Sequence, residues 1–472
     1  MADVIAALRA ALGDDTVLTG DDVHNRASGI WRREGIRAKA LVRPRDTAGV
    51  SKALALCHAH GQSVIAHGGL TGLVGSALTS PDDVVISLER LNKIEEINTI
   101  DRTMTVQAGV VLQTVQEQAD ASGLMFPLDL GGRGTATIGG NISTNAGGNR
   151  VIRYGMARDM VLGLEAVLAD GTVVSSMNRM IKNNAGYDLK QLFIGSEGSL
   201  GVVTRAILRL REKPRSTETL FVAVDEFAKL GKFLKSMDAS LGGTLSAFEV
   251  MWNNFYTLVT TAPAKNQPPL PQTYPYYVLV EAMGGDPEKD HERIEAALGQ
   301  AYEEGLIADA VIAQSEAQRQ QIWAMRDDVG QTTRLGPTFV FDVSMRISKM
   351  EAYVEEVNRR LATHYNEVHN FTFGHMGDGN LHFVISVGEN DHEAREKVER
   401  SVYEPLADIE GSVSAEHGVG LEKKPYLSIC RSPVEVALMR ALKETLDPKH
   451  ILNPGKIFDM DMDMDMDMEG VA

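Results

Sequence analysis

Two short segments carry the residue types that can do chemistry: FTFGHMGDGNLHFVISV (371–387) and GSVSAEHGVGL (411–421). Asp378-Gly379 is a tight-turn signal between two apolar runs, so the first segment reads as strand, turn, strand. His375 and His382 flank the turn, and both imidazoles can reach one end of that hairpin. Glu416-His417 adds a carboxylate and a third imidazole inside a second glycine-flanked segment. Two neutral imidazoles and a carboxylate suit Zn²⁺ or another borderline divalent ion, with positions left open for substrate. The spacing also allows a plainer reading, two hairpin histidines and a solvated Glu-His pair.

The elements that must position these groups follow from pattern. Residues 1–37 read as helix and loop ahead of the first strand, Ala40-Leu41-Val42, which Pro44 ends. Asp46 or Thr47 can cap a helix whose Val50, Leu54 and Cys57 fall at i, i+4, i+7 before Gly61 stops it. Ser63 to Ala66 is a second short strand. Strand, helix and glycine-rich loop alternate to about Leu210, the pattern of an α+β domain. The polar Lys213-to-Thr219 stretch, with Pro214, marks a boundary. A second α+β domain follows, with strands at Tyr277–Glu281 and Thr338–Ser344 and a helix lined by Val354, Val357, Leu361 and Tyr365. The Pro-rich Ala262–Tyr276 stretch reads as a long exposed loop, an insertion rather than a lid. The expected division is 1–37, 38–212, 213–450, a return at 451–458 and a tail at 459–472.

Composition sets the outer bounds. The chain has 472 residues, enough for two or three domains, and a net charge of −17 that disfavours nucleic acid or an anionic membrane as partner. Cys57 and Cys430 do not make a disulfide framework and suit a reducing cytoplasm. No basic stretch leads into an apolar core at the N-terminus, so no secretory signal is expected, and no apolar run approaches the roughly 18 residues of a spanning helix. The Asp/Met alternation from Asp459 to Glu469 reads as a disordered appendage.

Three glycine-rich segments lie beside apolar strands: AHGGLTGLVGSA (66–77), LDLGGRGTATIGGNISTNAGGN (128–149) and FIGSEGSLGVV (193–203). Glycine lets a backbone approach a ligand, and successive N–H groups can cradle phosphate oxygens, so a large anionic ligand is expected. The usual fingerprints are missing. There is no G-x-G-x-x-G after a strand, no G-x-x-x-x-G-K-[ST], no G-x-S-x-G and no H-E-x-x-H, which disfavours a dinucleotide fold, a P-loop, an α/β-hydrolase and a zincin.

The segments VRPRDTAGV, GGLTGLVGSA, PLDLGGRGTATIGGNISTNAGG, RYG, GYDLKQLFIGSEGSLG, GHMGDGNLH, SAEHGVG and DPKHILNPGK run from residue 42 to 456. Together they resemble the FAD-linked D-2-hydroxyacid dehydrogenases of the vanillyl-alcohol oxidase type, a group with D-lactate, glycolate and D-2-hydroxyglutarate members. PLDLG, GYDLKQLFIGSEG and GSVSAEHGVG look most like the D-2-hydroxyglutarate branch. The resemblance implies a two-subdomain FAD-binding domain and a C-terminal α+β substrate domain with an antiparallel sheet. It implies pyrophosphate against His67, Gly68, Gly69, Leu70, Thr71, Gly72, Gly75 and Ser76. Pro127, Asp129, Gly139, Gly140, Asn141, Thr144, Asn145, Gly147 and Gly148 would line the flavin and ribityl chain. Glu197, Gly201 and Val202 would sit near the adenosine, and Asn453 would return to the cofactor. No histidine or cysteine linkage is evident, so non-covalent FAD is expected.

On that resemblance the metal, bound by His375, His382 and Glu416, accepts the hydroxyl and carboxylate oxygens of a small 2-hydroxyacid. His417 is the general base, the C2 hydrogen moves to the flavin as hydride, and Arg326 forks onto a carboxylate. Glu416 and His417 are neighbours and would point apart in a regular strand, so their segment must bend. Val340 and Val384 depart from the D-2-hydroxyglutarate branch, where a lysine and an asparagine are usual, and two polar substrate contacts go with them. D-2-hydroxyglutarate is the first expected substrate, with D-lactate and D-malate next. The acceptor would be an electron-transfer flavoprotein or a quinone, and a homodimer is compatible with the pattern. A metal-dependent hydrolase would leave the glycines unexplained. A non-catalytic nucleotide-binding protein would leave Glu416-His417 unexplained.

Overall fold

Asp46 accepts a hydrogen bond from Gly49 N, and Gly61 turns left-handed at φ 63, so helix α1 (Thr47–His60) begins and ends where its caps dictate. It buries Val50, Leu54 and Cys57 against the first sheet. The structure, a computed structural model, describes residues 3–30, 32 and 34–460. The first sheet holds β1 (Val17–Leu18), β2 (Ala40–Val42), β3 (Val64–His67) and β4 (Val84–Ser87) in the order β1-β2-β4-β3. Strands β2, β4 and β3 are parallel, and α1 is the crossover this requires between β2 and β3. Residues 1–37 therefore contain a strand: Val17 pairs with Val42, because the short Val-Leu run can bury on an open sheet edge.

The second sheet is antiparallel, β5 (Ile94–Asn98), β6 (Thr103–Gln107), β8 (Val161–Val167), β9 (Val173–Ser176) and β10 (Val202–Arg209), ordered β5-β6-β10-β8-β9. Between its strands runs the short helix α2 (Ile138–Ser143). A ribbon of β7 (Leu124–Met125) and β11 (Arg211–Glu212) closes this half. One core, from Val4 to Leu210 with Ile451 and Leu452, fills both sheets.

The polar stretch after residue 212 is shorter than its composition suggests, because β12 (Ser216–Val224) already begins at Ser216. With β13 (Leu245–Trp252), β14 (Tyr276–Gly284), β15 (Asp309–Ile312), β16 (Phe339–Ser344), β17 (His369–His375) and β18 (Asn380–Ser386) it forms an antiparallel sheet ordered β15-β12-β14-β13-β17-β18-β16. Alternate residues serve opposite faces. Leu220, Val222 and Val224 pack with α3 (Phe227–Leu241), α5 (Pro287–Glu303) and α7 (Met350–His364). Phe221 and Ala223 pack with α4 (Asn253–Thr260) and α6 (Glu316–Asp327). Tyr365 lies one residue beyond α7. The 262–276 loop is pinned rather than wholly exposed: Leu270 is buried and its carbonyl accepts from Tyr256 Oη at 2.8 Å. A last helix, α8 (Pro433–Leu446), sends Lys443 Nζ back to Ser199 O at 2.8 Å. From residue 461 onward the Asp/Met tail lies outside the described residues.

Candidate active site

His375 ends β17 and His382 stands in β18, joined by a single turn at Met376–Asp378 that Gly379 closes at φ 90. The spacing of the hairpin thus brings both imidazoles together, with ring centroids 5.2 Å apart. Glu416 joins them: one ligand atom of each of His375, His382 and Glu416 lies within 4.8 Å of the other two. Tetrahedral zinc with bonds of about 2.0–2.2 Å keeps its ligand atoms roughly 3.4 Å apart, so the three side chains would have to draw in by up to about 1.4 Å to hold one. His375 Nε2 is already 3.8 Å from Glu416 Oε1.

Two buried carboxylates hold this cluster. Glu249 on β13 accepts from His375 Nδ1 at 2.7 Å and from Arg326 Nε, at the end of α6, at 2.8 Å. Burial alone would raise the Glu249 carboxyl, but His375 and Arg326 override it and hold it at about 2. With Nδ1 committed to Glu249, His375 presents Nε2 to the cluster. Burial disfavours charge on this ring, yet Glu249 and then Glu416 bring it up to about 9. Against these carboxylates stands the Arg326 guanidinium, whose Nη2 lies 3.4 Å from His375 Nε2 and disfavours a positive charge there. His382 is held well below its ordinary value, by burial and then by His375 and Arg326, and so stays neutral as a ligand must.

Asp342 on β16 is the second pivot. Its Oδ2 accepts from the backbone N–H groups of Ala415, Glu416 and His417 at 2.9, 2.7 and 3.1 Å. This is the bend that lets Glu416 and His417 serve one site, since the chain wraps a buried carboxylate. Asp342 Oδ1 takes His417 Nδ1 at 2.9 Å and also Lys423 Nζ. Nε2 is left as the free nitrogen of His417. Helix α6 is fixed at its other end too: Glu281 on β14 accepts from Arg319 Nε at 2.9 Å and Trp323 Nε1 at 2.8 Å. Arg319, Trp323 and Arg326 share one face of α6 at i, i+4, i+7.

The cluster forms one wall of a cavity of ≈ 470 Å³ whose opposite wall is the glycine-rich half. His67, Gly68, Gly69, Leu70, Thr71, Gly72 and Ser76 line it, as do Gly139, Gly140, Asn141, Thr144, Gly147 and Gly148. Glu197, Gly201, Val202 and Asn453 line it too, facing Arg326, His382, Glu416 and His417. Four residues expected at the cofactor lie off the wall. Gly75 is backed by Leu421, Pro127 is buried, Asp129 pairs with Arg133 and Arg150, and Asn145 accepts from Arg158 N. His375 stands behind His382 and Glu416.

The glycine wall fits a large polar cofactor. Thr137 Oγ1 and Asn141 Oδ1 are buried there without partners. A Cβ at Gly140 would meet only Thr137 Oγ1 at 3.4 Å and otherwise enter the cavity, and one at Gly72 would meet nothing within 4 Å. His67 is pushed down to about 4 by burial and bonds Ala77 O through Nε2 at 2.9 Å. Glu197 ties the halves together: it accepts from Val419 N at 2.7 Å and Gly420 N at 2.9 Å, and from Ser76 Oγ. Glu249, Asp342, Lys423 and Thr137 were not singled out from the sequence. The signal for the first two is a lone acid inside an apolar strand, SAFEVMW and FVFDVS.

A glycine-rich wall faces His382, Glu416 and His417 across one cavity, an arrangement that fits a cofactor-dependent oxidoreductase. Residues 38–176 match the FAD binding domain family, and residues 213–457 match the C-terminal domain of FAD linked oxidases. This chain belongs to the FAD-linked D-2-hydroxyacid dehydrogenase family. It is 40% identical over 425 residues to D-2-hydroxyglutarate dehydrogenase of Xanthomonas citri pv. viticola, covering 89% of each chain. It is 37% identical over 456 residues to the mitochondrial D-2-hydroxyglutarate dehydrogenase of Arabidopsis thaliana, covering 96% of this chain and 81% of that one. The fold is that of p-cresol methylhydroxylase, solved with substrate bound, with a TM-score of 0.77, 18% identity and coverage of 98% and 97%.

Proposed function

We propose that this protein oxidises a D-2-hydroxyacid to the 2-oxoacid with FAD held non-covalently. D-2-hydroxyglutarate, named by its relatives, is the first substrate, and D-lactate and D-malate follow. The observation that carries the reading is the single cavity with a glycine cradle on one wall and His382, Glu416, His417 and Arg326 on the other. FAD, when bound, supplies the acceptor for the C2 hydrogen and its electron pair. A divalent ion, Zn²⁺ first, would be held by His375, His382 and Glu416 and would supply Lewis acidity toward the substrate oxygens.

The chain's own residues do the rest. Arg326 is aimed by Glu249 and binds the substrate carboxylate. His417, oriented by Asp342, takes the hydroxyl proton at Nε2. The carbonyl forms as the O–H and C2–H bonds break, with the proton on His417 and the electron pair on the acceptor. Walls from both halves enclose the reacting groups on two sides. The two free cysteines, Cys57 buried, support a reducing, cytoplasmic setting. Among the described residues no helix is long and apolar enough to cross a membrane. An electron-transfer flavoprotein or a quinone would reoxidise the flavin.

The test is anaerobic mixing of the yellow protein with D-2-hydroxyglutarate. Bleaching of the flavin bands with the D-form alone supports the reading, and bleaching only with L-forms rejects it. Acid precipitation should leave the flavin in the supernatant. Chelation should abolish turnover and leave the flavin spectrum intact.

A further inference from the structure

A second cavity, of ≈ 550 Å³, lies on the seam between the two halves and shares no lining residue with the first. Helix α6 forms one wall. Glu316, Arg319, Gln320, Trp323 and Asp327 recur there at i, i+3, i+4, i+7 and i+11, the spacing of one helix face. The other wall belongs to the cofactor half and holds Gln116, Asp129, Arg133, Asn149 and Arg150.

A seam that is only packed pairs its polar groups. Here each wall keeps one charge that is not hydrogen-bonded. The Arg150 guanidinium makes no hydrogen bond among the described residues. Asp129 Oδ2 is 3.3 Å from its Nη2 and Glu281 Oε1 is 4.0 Å from its Nε, and both that Nε and that Oε1 are buried without partners. On α6, Asp327 accepts no hydrogen bond and makes no ion pair among the described residues. The remaining charges are engaged. Arg133 donates to Asp129 at 2.6 Å, and Arg319 donates to Glu316 at 3.0 Å and to the fully buried Glu281 at 2.9 Å.

Charge then selects the ligand. A bare anion drawn to Arg150 would share the cavity with Asp327 and Glu316. A bare cation drawn to Asp327 would share it with Arg133 and Arg150. A small molecule that carries both charges satisfies both walls, each through a charge-assisted hydrogen bond. Trp323 adds aromatic surface to the wall that holds Asp327, which suits an ammonium group.

We infer that this cavity between the halves is a binding site for a small amino acid zwitterion, with its carboxylate on Arg150 and its ammonium on Asp327. The site lies outside the catalytic cavity and does not depend on the reaction proposed for it. Its occupant would touch two segments that also line the catalytic cavity: Arg326 precedes Asp327, and Gly147 and Gly148 precede Asn149 and Arg150.

The experiment is calorimetric titration of the oxidised holoenzyme with L-alanine and L-glutamate, and with propionate and ethylamine, which carry one of alanine's two charges each. At least one amino acid should give heat that saturates at one site per chain, and neither single-charge compound should come within tenfold of its affinity. Propionate or ethylamine binding as tightly overturns the inference, and so does the absence of saturable heat with both amino acids. Asp327→Asn and Arg150→Gln should each weaken the amino acid by about tenfold or more, the loss of one charge-assisted hydrogen bond. Flavin content and bleaching by D-2-hydroxyglutarate should stay at the wild-type level in both. Asp327 is exposed at the end of α6, so its variant decides alone if Arg150→Gln does not fold. Wild-type affinity in Asp327→Asn places the amino acid elsewhere and overturns the site. Failure of every 2-hydroxyacid to bleach the flavin rejects the oxidase reading and leaves the titration as it stands.

Discussion

His417 meets Asp342 through Nδ1, and that contact decides which of its nitrogens is free to take a proton. His417→Asn should lower kcat by roughly 10²- to 10⁴-fold. The content of the proposed divalent ion should be unchanged, because His417 is not among the three residues proposed to hold it; parallel loss of metal and activity would mean that it acts on the metal. Asp342 itself is fully buried. Burial alone would raise its carboxyl, but His417, Lys423 and the backbone donors hold it well below the ordinary 3.8. Its ionised form therefore contributes stability above that value, and the contribution is lost as pH falls through the lowered folded pKa. Asp342→Asn should cost about 3–5 kcal/mol at neutral pH by leaving Lys423 without its partner. In urea unfolding the gap from wild type should hold down to about pH 5 and narrow below about pH 4. A gap that widens in acid would contradict the sign.

At the scale of elements, α6 is held to the sheet by two acids, one on β14 and one on β13. Trp323→Phe removes one donor to Glu281 while keeping the ring, at about 1–3 kcal/mol for the acceptor left short. Arg326 then loses part of its pre-set position, so KM should rise more than kcat falls. An equal fall in kcat with KM unmoved would show that α6 does not position the substrate. Helix α2 gives a separate test. Gly140→Leu should yield folded, colourless protein, since its side chain would enter the cavity; a wild-type ratio of flavin to protein absorbance would refute the cradle. Much of this was legible in the sequence. Asp46 and Gly61 bracket α1, and Asp378-Gly379 sets the hairpin, because both are short-range steric and hydrogen-bonding choices. Glu249 and Asp342 were not. Each looks like a stray acid in a strand, and its partners lie far along the chain, Arg326 77 residues from Glu249 and Lys423 81 residues from Asp342. The strand at Val17 was hidden for a related reason: a two-residue run has no period to read, and only its pairing with Val42 defines it.

At the scale of the molecule, contacts between the halves lie both at the cavity and away from it. Glu416 Oε1 accepts from Gly148 N, and a Cβ at Gly147 would sit 2.6 Å from Glu416 Oε1, so the glycines admit the carboxylate as well as a ligand. Glu197 reaches Val419 and Gly420, and Arg153 reaches the carbonyls of Thr244, at 3.2 Å, and Met283. A ligand bound between such walls stabilises both. FAD at 100 times its Kd should add about 2.7 kcal/mol. Calorimetry should show one transition that shifts as a unit; two transitions, of which FAD moves only one, would show that the halves unfold apart.

The return of the chain to β3 has a consequence in time. Val64 N donates to Ile451 O at 2.7 Å, Asn453 N donates to Val64 O at 2.8 Å, and the Asn453 side chain accepts from Ala66 N at 3.0 Å and donates to Glu197 O at 2.7 Å. Ala66 and Asn453, 387 residues apart, thus form one edge of the cavity together. A ribosome delivers them in order, at roughly 5–20 residues per second. The strand at Val64 emerges first and waits for its neighbour, which lies some 387 residues further along the chain. A nascent chain stalled before Ile451 should show no flavin fluorescence polarisation, however long it is given cofactor, and should gain it once synthesis passes Asn453. Loading of the cofactor then waits for synthesis of the second half, and a cell short of FAD would accumulate chains that are past Asn453 but empty rather than interrupted before it.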